Sequence, residues 1–273
     1  MREWTGADTA RFLRVPGADD DKRSRGVVTL RTGSERYPGA AVLGVEGAWR
    51  SGSGFVRYAG PAASAVLSRR PETVIGAGRH TDAWVLGSGT DPRERTADEE
   101  RALRAILAGD TAVVADAGAL DLIGAASAPL VVTPHAGEFV RLRERLGMPV
   151  GDPDHEGERI VQAEELAADR GITVLLKGAR TVVASSDRAT IVVGNAPGWL
   201  ATAGTGDVLA GIMGALIAAN PEAPLAETAA SAAWLHGQAA RIASGTDRGG
   251  LGHPIVALDV AQALPLAIAG LLE

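Results

Sequence analysis

The sequence predicts an α/β fold: a mainly parallel central sheet flanked by helices on both faces, with an antiparallel hairpin at its edge. Three observations carry this. Short β-branched runs recur along the 273 residues with helical segments between them. Most of these runs lack polar alternation, as expected of strands covered on both faces. Late in the chain two β-rich runs are joined by a polar turn, and after them come helices alone. Alternating β and α segments imply parallel strands with right-handed crossovers.

In chain order, strands are expected at 27–30 (VVTL), 54–59 (GFVRYA), 73–75 (TVI), 83–87 (AWVLG), 111–116 (TAVVAD), 129–134 (PLVVTP) and 172–178 (ITVLLKG). Helices fill the intervals at 40–50, 97–108, 136–147 and 156–170. RTVVASSDRATIVVGN then reads as a hairpin over about 181–193, turning at Ser186-Asp187-Arg188. The segments 206–219, 225–244 and 255–272 are rich in Ala and Leu and form a closing helical layer. Residues 1–25, with the acidic run DDD at 19–21, read as a helical arm plus linker, and 26–273 as a single domain.

Composition narrows the function. With 46% hydrophobic and 22% charged residues the chain folds rather than remaining disordered. The net charge of −6, without a basic run, argues against a nucleic-acid partner, so any anionic ligand needs a local site. There is no cysteine, which excludes disulfides and thiolate metal sites and fits a reducing compartment. The first residues carry no apolar stretch behind a basic end, and no later run reaches membrane-spanning length. The expectation is a cytoplasmic protein with no membrane partner. The Ala-rich terminal helices suit either a homo-oligomer interface, such as that of a homotetramer, or simple coverage of the sheet.

In open parallel sheets ligands sit beyond the carboxyl ends of strands. The polar loops there are YPGAA (37–41), GSGTD (87–91), TPHAGE (133–138) and KGART (177–181). The stretch NAPGWLATAGTGDVLAGIMGAL (195–216) adds three glycines' worth of bare backbone before one acid, Asp207. In Gly204-Thr205-Gly206 the backbone N–H groups can approach an anion, and the apolar helix that follows offers its positive end. Asp207 would then stand where a hydroxyl meets the held phosphate, as a base kept ionised by the helix end, or else serve as an ordinary cap. His135, at a strand end, is either a ligand donor or a structural turn residue; in the first case His135→Ala should weaken binding with little loss of stability. Glu138 suits the first turn of the next helix. Lys177, one of only two lysines, either reaches a phosphate or lies at the surface. Asp116 either faces a ligand or metal or starts the next helix.

Taken in order, YPGAA, VVADAGALDL, VVTPHAGEFVRL, LLKGARTVVAS and ATAGTGDVLAGI resemble the ADP- or ATP-dependent NAD(P)H-hydrate dehydratases, carbohydrate-kinase-like repair enzymes of the ribokinase superfamily. The resemblance runs from about Gly26 to Pro265 and implies a ribokinase-like fold. It implies as substrate NADH or NADPH hydrated at C6 of the nicotinamide ring, with ADP (or ATP) as co-substrate and Mg2+ on its phosphates. The hydroxyl is phosphorylated and phosphate then leaves, a lyase reaction yielding NAD(P)H, AMP and phosphate. Carried over by motif, Asp207 is the base and Gly204, Thr205 and Gly206 the anion hole. Lys177, Gly178, Ala179, Arg180, Thr181 and Gly206 bind the nucleotide. Ala40, Gly89, His135 and Asp207 contact the hydrated dinucleotide. No metal-ligating residue is assigned.

The chain departs from the family's common forms in places. GPGLG appears as GSGTD, TPHPGE has Ala136 for its second proline, DADALN appears as DAGALD, and NAPGWLATAG is one residue longer and carries Trp199. Two alternatives share the same motifs. One is a small-alcohol kinase for hydroxymethylpyrimidine, pyridoxal or hydroxyethylthiazole; the other is a nucleotide-binding regulatory module without chemistry.

Overall fold

The computed structural model describes residues 1–152 and 155–273. The chain opens with β1 (Arg2–Glu3) and α1 (Gly6–Ala10), then β2 (Val27–Arg31), α2 (Pro38–Arg50), β3 (Phe55–Tyr58), α3 (Ala63–Arg69) and β4 (Val74–Ile75). β5 (Ala83–Leu86), α4 (Ala97–Leu107), β6 (Ala112–Ala115), β7 (Leu130–Val132), α5 (Ala136–Arg145), α6 (Glu156–Arg170) and β8 (Thr173–Leu176) continue the alternation. β9 (Thr181–Ser185) and β10 (Arg188–Val193) form the expected hairpin, and α7 (Thr205–Ala219), α8 (Leu225–Ser244) and α9 (Ala257–Leu272) end the chain. Every expected strand and helix is present.

One sheet of ten strands runs in the order β1-β10-β9-β8-β7-β6-β5-β2-β3-β4. β8, β9 and β10 pair antiparallel and the other pairs are parallel. The hairpin lies at one end of the sheet, but β1 pairs with β10 outside it and takes the edge itself. The expected arm is therefore tied to the body, with Trp4 and Phe12 buried in the main core.

Strand residues alternate between two cores. Val85, Val114, Val131 and Leu175 point to α2, α7, α8 and α9, while Leu86, Val113, Val132 and Leu176 point to α4, α5 and α6. This double burial explains the unbroken apolar runs. α7 crosses α2 at very short range: a Cβ on Gly211 would fall 2.0 Å from the Gly44 carbonyl oxygen, and one on Gly47 2.4 Å from that of Val208. These glycines bring the start of α7 down beside α2.

Strand order reverses between neighbours β2 and β5, since the chain runs from β2 outward to β4 and then back across to β5. Such a switch point opens a crevice at the carboxyl ends of its two strands. The loops 33–38 and 87–91 leave β2 and β5 there.

Candidate active site

α7 begins behind Gly204, which sits at φ 87°, where a Cβ would press 2.6 Å from Leu43 Cδ1. No side chain caps this helix, so its first N–H groups are left for an anion. That removes the reading of Asp207 as a cap. The carboxylate instead lines a cleft of about 690 Å³ together with the 204–206 turn, His135, Lys177, Gly178, Ala179 and Thr181.

The cleft floor is a charged cluster drawn from four strand ends. Asp116 follows β6 and is buried; it accepts hydrogen bonds from Ser88 Oγ (2.9 Å), Thr133 Oγ1 (2.8 Å) and Lys177 Nζ (2.9 Å). Lys177 Nζ also lies 3.8 Å from Glu138 Oε2. Burial pulls the Lys177 ammonium downward, but the charges of Asp116 and Glu138 outweigh it and its pKa ends up raised. Lys177 is thus a held cation within the cleft, not a surface lysine. Sequence reasoning left Asp116 undecided and missed Ser88 and Thr133, which orient it.

Asp207 is pushed up to about 6, first by burial and then by the charge of Asp116, with Lys177 and the Ser88 hydroxyl opposing. This corrects the expectation that the helix end alone governs it: enclosure and a like charge outweigh the helix field. The group is mostly ionised at neutral pH and more basic than an exposed carboxylate, which suits a general base.

His135 is the N-cap of α5. Its Nδ1 accepts from Gly137 N (3.1 Å) and Glu138 N (3.4 Å), while Glu138 Oε2 accepts from His135 N (2.9 Å). With Nδ1 as acceptor, a neutral ring carries its proton on Nε2, which lies 3.5 Å from Glu138 Oε2. The side chain is 56% exposed. His135 therefore supports the fold as well, and the expectation that His135→Ala spares stability is revised, because a cap would be lost.

Gly178 to Thr181 turn tightly after β8, with Thr181 Oγ1 donating to Gly178 O (3.2 Å). The Arg180 guanidinium pairs with Glu156 (2.9 Å) and Glu3 (3.0 Å), and Arg180, unlike Gly178, Ala179 and Thr181, does not line the cleft. Ala40 and Gly89 lie apart from the Asp207 cleft but against each other at the switch point. Gly89 has φ 68°, and a Cβ there would fall 2.3 Å from Ala40 Cβ.

Two sequence departures lie together in the structure. The 87–91 loop lies on Gly118, where a Cβ would meet Thr90 O at 2.4 Å, and Asp121 pairs with Arg95 (2.7 Å). Trp199 turns outward, its Nε1 donating to Leu251 O (2.6 Å). Among the described residues no group of three or more His, Asp or Glu is arranged to hold a metal.

The fold and motifs find close counterparts. The bifunctional NAD(P)H-hydrate repair enzyme of Mycobacterium leprae is 40% identical over 250 residues, covering 87% of this chain and 50% of that one. The ADP-dependent (S)-NAD(P)H-hydrate dehydratase of Neisseria meningitidis is 33% identical over 255 residues, covering 84% of this chain and 81% of its own. The crystal structure of the ADP/ATP-dependent NAD(P)H-hydrate dehydratase of Bacillus subtilis, co-crystallised with ATP/Mg2+, superposes with a TM-score of 0.83 at 27% identity, covering 99% of this chain and 98% of that one. The chain spans about half the length of the bifunctional relatives. The family profile described as NAD(P)H-hydrate dehydratase matches residues 28–252, and the chain belongs to that family.

Proposed function

We propose that this protein restores NADH or NADPH from its C6-hydrated form at the expense of ADP, with Asp207 as general base. One observation carries the reading: a carboxylate of raised basicity stands in the first turn of α7, in one cleft with the uncapped helix end and the held cation Lys177. A phosphate on the Gly204-Thr205-Gly206 backbone and a hydroxyl beside Asp207 would face each other. Asp207 takes the hydroxyl proton, the freed oxygen bonds to the terminal phosphorus of ADP, and AMP leaves. The C6–O bond then breaks as phosphate departs, a C5 proton is lost, and the ring double bond returns. Such chemistry asks for positioning and charge neutralisation rather than covalent help.

Lys177 and the 178–181 turn would hold the nucleotide. His135 Nε2, Ala40 and Gly89 would contact the dinucleotide, which then reaches from the cleft toward the switch point. Mg2+ favours phosphate oxygens and water over an all-protein cage, which fits a site offering carboxylates but no metal cluster among the described residues. When bound with the nucleotide it neutralises phosphate charge.

ADP is the preferred nucleotide in this reading, in keeping with the Neisseria relative's name. We take 26–273 as the catalytic domain, acting in the cytoplasm. Among the described residues no helix is long and apolar enough to cross a membrane. A homo-oligomer is part of the proposal, supported by Leu266 and Leu272 exposed on α9.

Incubation with hydrated NADH, Mg2+ and ADP should release AMP and inorganic phosphate while nicotinamide absorbance returns. A retained phosphoester would instead mark a small-alcohol kinase. Tight nucleotide binding without turnover of any of these substrates would mark a regulatory module.

A further inference from the structure

His236 is buried on α8, 6% exposed, among Ala229, Ala232, Ala233 and Ala240. Its Nε2 has no hydrogen-bond partner among the described residues. Buried polar atoms are rarely left this way, because an unmade hydrogen bond costs stability. Asn195 Oδ1 is in the same condition, although its amide is fixed by Nδ2 donating to Trp234 O at 2.8 Å. Gly237, next to His236, makes this possible: a Cβ there would sit 2.6 Å from Asn195 Oδ1. Asn195 and His236 both line the Asp207 cleft.

Burial pushes the His236 imidazole down to about 4, with the Thr205 backbone beside it pulling the other way. The ring is therefore neutral wherever Asp207 is ionised, and serves poorly as an acid or base at neutral pH. What it offers is one uncharged hydrogen bond at Nε2, close to the helix end that would carry phosphate. Asn195 adds an acceptor to the same wall.

We propose that His236 and Asn195 are nucleotide-binding residues: Nε2 and Oδ1 hydrogen-bond the nucleoside diphosphate whose phosphates rest on Gly204–Gly206. The proposal rests on the preceding reading of the cleft as a nucleotide site. Neither residue takes part in the proton transfer assigned to Asp207, so both act on nucleotide affinity rather than on the chemical step.

The test is ADP titration by calorimetry, with melting temperature, on wild type, His236→Gln and His236→Asn. A Gln amide reaches about as far as Nε2, whereas an Asn amide stops short of it. His236→Asn should bind ADP about tenfold more weakly, the worth of roughly one net hydrogen bond, and His236→Gln should stay within about threefold of wild type. The KM for hydrated NADH should not move in either. Unchanged ADP affinity in His236→Asn, or equal losses in both variants, would overturn the proposal and make His236 a packing residue. Should these variants fail to fold, Asn195→Ala at its half-buried loop position carries the same test: a loss of about tenfold supports it and unchanged affinity overturns it. Wild type that binds neither ADP nor ATP would sink the nucleotide-site reading itself, and this inference with it.

Discussion

Lys177 Nζ and Asp116 Oδ1, 61 residues apart in sequence, meet at 2.9 Å on the floor of the cleft, and both face Asp207. Burial raises the pKa of Asp207 most; of the pair, Asp116 raises it further and Lys177 lowers it.

Asp116→Asn should therefore lower the Asp207 pKa, by removing a like charge and freeing Lys177 for Asp207. In wild type, kcat should fall as pH drops through about 6, where Asp207 gains its proton. In the variant this acidic limb should move to lower pH. A pH–rate profile checks it; a limb that stays in place or moves upward contradicts the account of the shift.

The same shift has a stability consequence. Asp207 keeps its proton up to about 6 in the folded protein but only to about 3.8 unfolded, so the folded state binds more protons between those values. Stability from this group therefore falls as pH rises through that window, and the deficit is complete above it. Asp207→Asn should melt higher than wild type at pH 8, and the gap should close as pH falls toward 4. Thermal melts across that range decide it; a variant less stable at pH 8 would contradict the burial argument.

Much of this was legible from sequence because its causes are local. The unbroken apolar run VVADA marks a strand buried on both faces, and GTGD before an apolar helix marks the turn into the uncapped start of α7. β1 escaped because two residues, Arg2 and Glu3, carry no periodicity and are held by Val192 and Ile191 across the whole chain. Asp116 stayed ambiguous because its partners Ser88, Thr133 and Lys177 come from other strands. The raised basicity of Asp207 arises from enclosure and from Asp116, neither visible in its own segment. His135 was legible as a site candidate, but its capping role depends on Nδ1 facing the 137 and 138 amides.

His135 should separate its two roles by substitution. His135→Ala should cost about 1 kcal/mol of stability through the lost cap and also raise the KM for the hydrated dinucleotide. His135→Asn retains a capping acceptor, so it should keep the melting temperature while KM still rises. Normal KM in His135→Asn would leave His135 a cap alone.

Glycines 204 and 206 should differ in kind. Gly204→Ala places a side chain at φ 87° and against Leu43, so it should cost about 1–2 kcal/mol or more. Gly206 lies within α7, and a Cβ there meets only Lys177 Nζ at an ordinary 3.5 Å. Gly206→Ala should then be neutral or stabilising by up to about 1 kcal/mol, while ADP affinity falls because the methyl intrudes on the phosphate cradle. Melting curves beside ADP titrations read both; undiminished ADP affinity in Gly206→Ala would place the phosphates elsewhere.

The measurement that bears most directly on the central claim is kcat of Asp207→Asn with hydrated NADH and ADP, run beside an ADP titration of the same protein. Asn keeps the shape of Asp207 but cannot accept the hydroxyl proton. ADP should still bind, and kcat should fall by roughly 10²–10⁴-fold, the range for loss of a positioned general base. A near-wild-type kcat in a variant that binds ADP would contradict the assignment of Asp207 as the base.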